Sequence, residues 1–159
     1  RMTGRDRQHM RECLALARRS IMLGEVPVGA VVVNVEGTII GRGHNRPVGL
    51  HDPSAHAEIL AMRAAGAALG NYRLDDCTLY VTLEPCLMCL GAILQSRIET
   101  IVYGAADPRY GAIDTFNHRD TAKSSYLRFP QTVSGIMAPQ CSALLSSFFK
   151  KIRKKTEKS

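Results

Sequence analysis

No apolar stretch in this 159-residue sequence approaches the ~20 residues needed to cross a bilayer, so a membrane-spanning helix is not expected. The opening RMTGRDRQHM lacks the apolar centre of a secretory signal, and an intracellular, cytoplasmic and reducing setting is expected from it. Cysteine is sparse and odd in number, at positions 13, 77, 86, 89 and 141, which argues against a disulfide framework. Only Cys86 and Cys89 are spaced like metal ligands. Cys13, Cys77 and Cys141 are expected to be small buried hydrophobes. There is no internal repeat and no linker, so residues 1–159 are read as one deeply packed domain, long enough to bury a core without cross-links.

Hydrophobic residues make up 45% of the chain, in short runs that suit a compact fold rather than disorder. The formal charge of +7 is unevenly placed. Residues 1–24 carry six Lys/Arg against two acids and residues 141–159 six against one, while residues 25–140 carry nine against eleven. Both ends are therefore basic around a slightly acidic middle. That pattern fits a solvated tail, and it fits equally an electrostatic footprint for nucleic acid.

Along the chain, Met10, Cys13, Leu14, Ala17 and Ile21 recur at helical spacing over residues 5–23, and Gly24 and Pro27 stop that helix. VGAVVVNV (28–35), a Glu36-Gly37 turn and TIIGRG (38–43) read as a β-hairpin. A loop over residues 44–55 leads into a helix of about 56–68. CTLYVTL (77–83) is a strand, residues 86–96 a helix, TIVYGA (100–105) a strand and TVSGIM (132–137) a weaker one. The gap of about 25 residues between the last two is too long for a tight hairpin. It has room for a crossover helix that would make them parallel. A final helix starts near Pro139, with Cys141, Leu144, Leu145, Phe148 and Ile152 on one stripe. The helix over 86–96, CLMCLGAILQS, is apolar on nearly every side and should be buried from two directions, inside the fold or between subunits. This order implies a three-layer α/β/α sandwich around a mixed five-stranded sheet.

The chemistry sits in two short segments. LEPCLMC (83–89) places Cys86 and Cys89 three apart at a strand-to-helix junction, so both sulfurs can reach one metal. The helix N-terminus favours their thiolate forms. A C-x-x-C pair alone is equally consistent with redox chemistry or coincidence. SAHAEI (54–59) supplies His56, also at the start of a helix. Three N/S donors suit tetrahedral zinc and leave its fourth position open, as a catalytic site requires and a structural site does not. Glu58 lies two residues on. In a first turn the side chains lean back past the helix end, so Glu58 can stand beside the open position without being a ligand and can carry a proton there. Glu84 has no comparable claim.

The H-A-E and P-C-L-M-C segments together resemble the zinc-dependent cytidine and nucleotide deaminase superfamily. The segments EVPVGAVVV, GHNRPVGLHDPSAHAEI, NYRLDDCTLYVTLEPCLMC and LLSSFF resemble the bacterial tRNA-specific adenosine deaminases across residues 6–150, and His56, Glu58, Pro85, Cys86 and Cys89 match without departure. Residues 107–131 read differently. The resemblance implies one zinc per subunit, a homodimer, a tRNA anticodon stem-loop as partner, and hydrolytic deamination of adenosine to inosine at the wobble position, with an ACG-anticodon arginine tRNA as substrate. It implies that Glu58 moves protons to adenine N1 and to departing ammonia, and that Asn45 contacts the base. At the basic end, Phe149 could border the mouth of the site and stack on a base. Lys150, Lys151 and Arg153 suit phosphate contacts. Two other readings stay open: a deaminase of a free cytidine, deoxycytidylate or guanine, and a zinc-stabilised RNA-binding module without activity.

Overall fold

The computed structural model describes residues 3–117 and 128–158. Helix α1 (Gly4–Met22) is followed by β1 (Gly29–Val33), β2 (Ile39–His44), α2 (Ala57–Leu69), β3 (Thr78–Leu83) and α3 (Leu87–Ser96). Then come β4 (Thr100–Ala105), α4 (Ile113–Asn117), β5 (Gln131–Val133) and α5 (Ala138–Glu157). The five strands form one sheet in the order β2-β1-β3-β4-β5. β1 runs antiparallel to both β2 and β3, whereas β3–β4 and β4–β5 are parallel, so the sheet is mixed as expected.

The alternation of strand side chains divides the core in two. Ala30, Val32, Leu79, Val81, Ile101 and Tyr103 face α2 and α3, packing on Ala57, Ala61, Leu90 and Ile93. Val31, Val33, Tyr80 and Val102 face the other way, onto Met10, Cys13 and Leu14 of α1 and Cys141 of α5. These are the three expected layers. Helix α2 lies close on β2 because Gly41 and Gly43 carry no side chain. A Cβ at either would run into the α2 backbone at Ala61 or Ala57. Cys13, Cys77 and Cys141 are buried and unpaired.

Two expectations are corrected. Strand β5 stops at Val133, because Gly135 and Met137 take positive φ and turn the chain into α5. The apolar stripe of α5 ends at Phe148, and Ile152 is 43% exposed. Helix α3, expected to be buried inside the fold or between subunits, is buried within this chain on its Cys89, Leu90 and Ile93 side, and Leu87 is 62% exposed in the single chain. The long gap holds the short helix α4 and joins parallel strands, as expected, and the rest of the expected crossover falls on residues 118–127, outside the described residues.

Helix α1 is anchored by a cluster that bears on pH. Thr3 and Asp6 form a reciprocal capping box, and the other Asp6 oxygen accepts from the Tyr80 hydroxyl at 2.7 Å. His9 is buried against the Tyr80 ring, 4.8 Å between centroids, with its Nδ1 unpartnered. Burial lowers the His9 pKa below its ordinary 6.5. The unfolded chain therefore takes up the proton first, and stability present above about pH 6.5 is lost as pH falls below it. Denaturant midpoints from pH 7.5 to 5 should fall more steeply for the wild type than for His9→Phe, and parallel curves would remove His9 from the account.

Candidate active site

Strands β2, β3 and β4 point the same way, and the functional side chains collect at their carboxyl ends, the usual site edge of an α/β sheet. Past β2, Asn45 and a loop lead to α2. Past β3, Glu84-Pro85-Cys86 leads directly into α3. In that loop Asp52 accepts from both the backbone and the hydroxyl of Ser54, at 2.9 and 2.7 Å, forming a tight turn before His56.

His56 and Cys86 are the N-cap residues of α2 and α3, and neither side chain caps its own helix. Both are turned towards a common point instead. His56 Nδ1 lies 3.7 Å from the Cys86 sulfur and 3.6 Å from that of Cys89, and the three donor atoms fall within 4.8 Å of one another. Among the described residues this is the one such group of three. The spacing fits zinc: a Zn–S bond of about 2.3 Å and a Zn–N bond of about 2.0 Å at a tetrahedral angle place the donors roughly 3.5 Å apart. The donor set fits as well, since two thiolates and an imidazole match zinc in softness. The Cys86 thiol is held down to about 3, chiefly by the hydrogen bond from Cys89 and then by His56, while that contact and burial drive Cys89 upwards. One thiolate is thus already favoured by the fold.

The N-cap that His56 cannot supply comes from Asn45. Its Oδ1 accepts from the Ala57 N–H at 2.8 Å, while its backbone is held by Val28 and by the Ser20 hydroxyl. This fixes the amide: the oxygen is used, and the NH₂ is left for the cavity that Asn45 lines. Glu58, in the first turn of α2, is 4% exposed and lies against His56 and Cys89. Burial pushes its carboxyl above the ordinary range, the condition of a group that must gain as well as give a proton.

Asn45, His56, Glu58 and Cys86 line a cavity of about 700 Å³, with Phe149 and Leu145 of α5 on one wall and residues 106–110 on another. Phe149, 45% exposed, therefore does border the mouth. Lys150, Lys151 and Arg153 follow it on α5, exposed to solvent and outside the cavity lining.

The description "cytidine and deoxycytidylate deaminase zinc-binding region" belongs to the family model that matches residues 3–105, the stretch holding every donor and Glu58. The chain is a member of this deaminase family. It is 48% identical over 157 residues to the tRNA-specific adenosine deaminase of Haemophilus influenzae, covering 97% of this chain and 90% of that protein. A solved tRNA:A34 deaminase, studied for A-to-I editing at the wobble position of transfer RNA, superposes with a TM-score of 0.80 at 40% identity, covering 87% of this chain and 99% of that one. A guanine deaminase of Nitrosomonas europaea superposes at 0.76 with 29% identity, over 89% and 83%. The mixed sheet with its flanking helices is accordingly the cytidine-deaminase-like fold, and the cofactor of this deaminase is zinc.

Two buried carboxylates of the deaminase were invisible as site residues in the sequence. Glu84 accepts from the backbone N–H groups of Asp107, Ile113 and Asp114, at 3.0, 3.1 and 3.3 Å, pinning the loop that walls the cavity. Glu25 does the same on the other side, accepting from Val48 and Gly49 at 3.1 and 2.7 Å. The partners in both cases are backbone groups of remote loops, which leave no mark in a motif. Glu84→Ala would strand three N–H groups near the metal-binding junction. At about 1–3 kcal/mol for each unpaired group, the variant should lose about 3 kcal/mol or more, read from its denaturant midpoint. Glu84→Gln, which keeps one accepting oxygen, should lose less.

Proposed function

We propose that this deaminase converts adenosine to inosine at the wobble position, nucleotide 34, of a tRNA, with an ACG-anticodon arginine tRNA as the expected substrate. The observation that carries the reading is the 48% identity to a tRNA-specific adenosine deaminase over 97% of the chain. The open three-donor site supports it.

His56, Cys86 and Cys89 would hold the zinc, which when bound polarises a water and brings its pKa to about 7. Glu58, beside that position, would accept a proton from the attacking water as the oxygen bonds to C6 of the adenine, and would deliver it to N1. The second proton, taken by Glu58 from the hydroxyl newly formed at C6, would go to the exocyclic nitrogen. The C6–N bond then breaks, ammonia leaves, and inosine keeps its hydrogen on N1. The Asn45 amide, with its oxygen committed to α2, donates to adenine N7 and orients the base. Phe149 stacks on a base at the mouth.

Lys150, Lys151 and Arg153 contact phosphates of the stem-loop, which positions the RNA without reading its sequence. Each lost contact should flatten the dependence of log affinity on log salt by about 0.7 to 0.9. Replacing all three by alanine should therefore lower the slope by about 2 to 3, measured by fluorescence anisotropy between 50 and 200 mM salt. An unchanged slope would return the end of α5 to an ordinary solvated helix. The protein acts in the cytoplasm as a homodimer, and the exposed Leu87 and Met88 of α3 suit a subunit contact. No helix among the described residues is long and apolar enough to cross a membrane.

Free guanine is the rival substrate, because a guanine deaminase shares the fold. Parallel incubation with an anticodon stem-loop, adenosine, cytidine and guanine separates the readings. Inosine in the RNA supports the proposal, and turnover of a free base or nucleoside alone overturns it.

A further inference from the structure

We infer that Tyr110 is a second stacking platform at the mouth of the site, reading the nucleotide next to the target adenine rather than the adenine itself. This rests on the proposed RNA substrate.

Aromatic side chains are scarce in this chain, five tyrosines and four phenylalanines with no tryptophan, yet Tyr110 is left 67% exposed. It is exposed at a particular place, because it lines the cavity that holds Glu58, His56 and Cys86. Its backbone is firmly held. Asp107 Oδ1 accepts from the N–H groups of both Arg109 and Tyr110, at 3.0 and 3.1 Å, and the Asp107 carbonyl accepts from Gly111 at 2.9 Å. This turn is in turn fastened to the metal-binding junction. Gly111 bridges to Cys86, Ala112 N–H donates to the Pro85 carbonyl at 2.9 Å, and Glu84 holds the loop from beneath. An aromatic ring on a rigid turn beside a reactive centre presents a flat apolar face at little entropic cost.

The surroundings select a nucleotide. The Arg109 guanidinium lies over one face of the Tyr110 ring, 5.9 Å from its centre, which leaves the other face for a base and places a positive charge within reach of that nucleotide's phosphate. Phe149, from the separate helix α5, offers another exposed ring at the same cavity. A free base occupying the metal end would need neither ring. An RNA strand with one base flipped into the site brings unstacked neighbours with it, and aromatic faces at the mouth replace the stacking those neighbours lose.

The test uses the zinc-loaded protein and anticodon stem-loops carrying 2-aminopurine either 5′ or 3′ of the target adenosine. With wild type, fluorescence at one of the two positions should be quenched on binding. Tyr110→Ala should abolish that quenching and raise KM for the RNA roughly 5- to 150-fold, the equivalent of one lost base–aromatic stack, with kcat changed less. Tyr110→Phe should restore both quenching and KM, which a role for the hydroxyl would not predict. If wild type makes inosine in the RNA while Tyr110→Ala keeps its quenching and KM, the inference falls and the proposed function stands. If wild type neither binds nor deaminates the RNA, both fall.

Discussion

Glu58→Ala is expected to lower kcat for tRNA deamination by about 10²–10⁴-fold, the range for removing a positioned proton carrier, while the protein keeps its zinc. Both halves of that result matter. Glu58 lies beside the proposed ligands and is not among them: the three donor atoms that converge belong to His56, Cys86 and Cys89. Loss of rate with full metal content therefore isolates proton transfer from metal binding. The plainer role for an acid in the first turn of a helix is to complement the helix dipole, worth about 0.3–1 kcal/mol in stability and nothing in rate. That role does not suit a carboxyl that is 4% exposed. Burial disfavours its charge, so Glu58→Ala or Glu58→Gln should leave stability unchanged or slightly raised. Metal content by atomic absorption, kcat by inosine formation and a denaturant midpoint together decide. A variant that is destabilised yet active would make Glu58 a helix-end acid after all.

Cys86→Ala should abolish activity by a different route. It leaves His56 and Cys89, two donors where the site has three. Disturbing an outer partner of a metal ligand already costs about 10- to 100-fold in affinity, so removing a ligand should cost more than about 100-fold. The variant should purify with little zinc and unfold at lower temperature than wild type, because metal binding free energy is also folding free energy. Chelation of wild type should reach the same state. Added zinc should then restore wild type and leave Cys86→Ala inactive. Restoration of the variant by zinc at wild-type concentrations would mean that Cys86 is not a ligand.

How far the sequence reveals this site depends on what each residue contacts. His56, Cys86 and Cys89 are legible because ligand chemistry demands particular residue types, and because strand-to-helix junctions show in the switch of hydrophobic period. Glu58 is legible through them. Its i, i+2 spacing from His56 makes sense only at a helix start, and α2 does start at Ala57. Asn45 is half legible: the family resemblance implies a base contact, but the bond to Ala57 that orients its amide is a tertiary event. Glu25 and Glu84 are not legible at all. Each holds backbone N–H groups more than twenty residues away, and any loop sequence offers those.

The fold divides in the same way. Local periodicity gives the hairpin and the strand, helix and strand that form β3, α3 and β4, and the length of the gap after β4 gives the parallel end of the sheet. It fails where tertiary context ends an element. β5 is cut short by the positive φ of Gly135 and Met137, and the apolar stripe of α5 runs one turn past its last buried residue, Phe148. The exposed Leu87 and Met88 of α3 are apolar residues with no place in this chain's core, which agrees with the proposed subunit contact.

The most direct test of the account is conversion of nucleotide 34 in an intact arginine tRNA with an ACG anticodon, read as an A-to-G change on reverse transcription, with zinc-loaded wild type and Glu58→Ala side by side. Conversion at that nucleotide by wild type alone is the predicted result. No conversion by wild type, or equal conversion by both proteins, would contradict it.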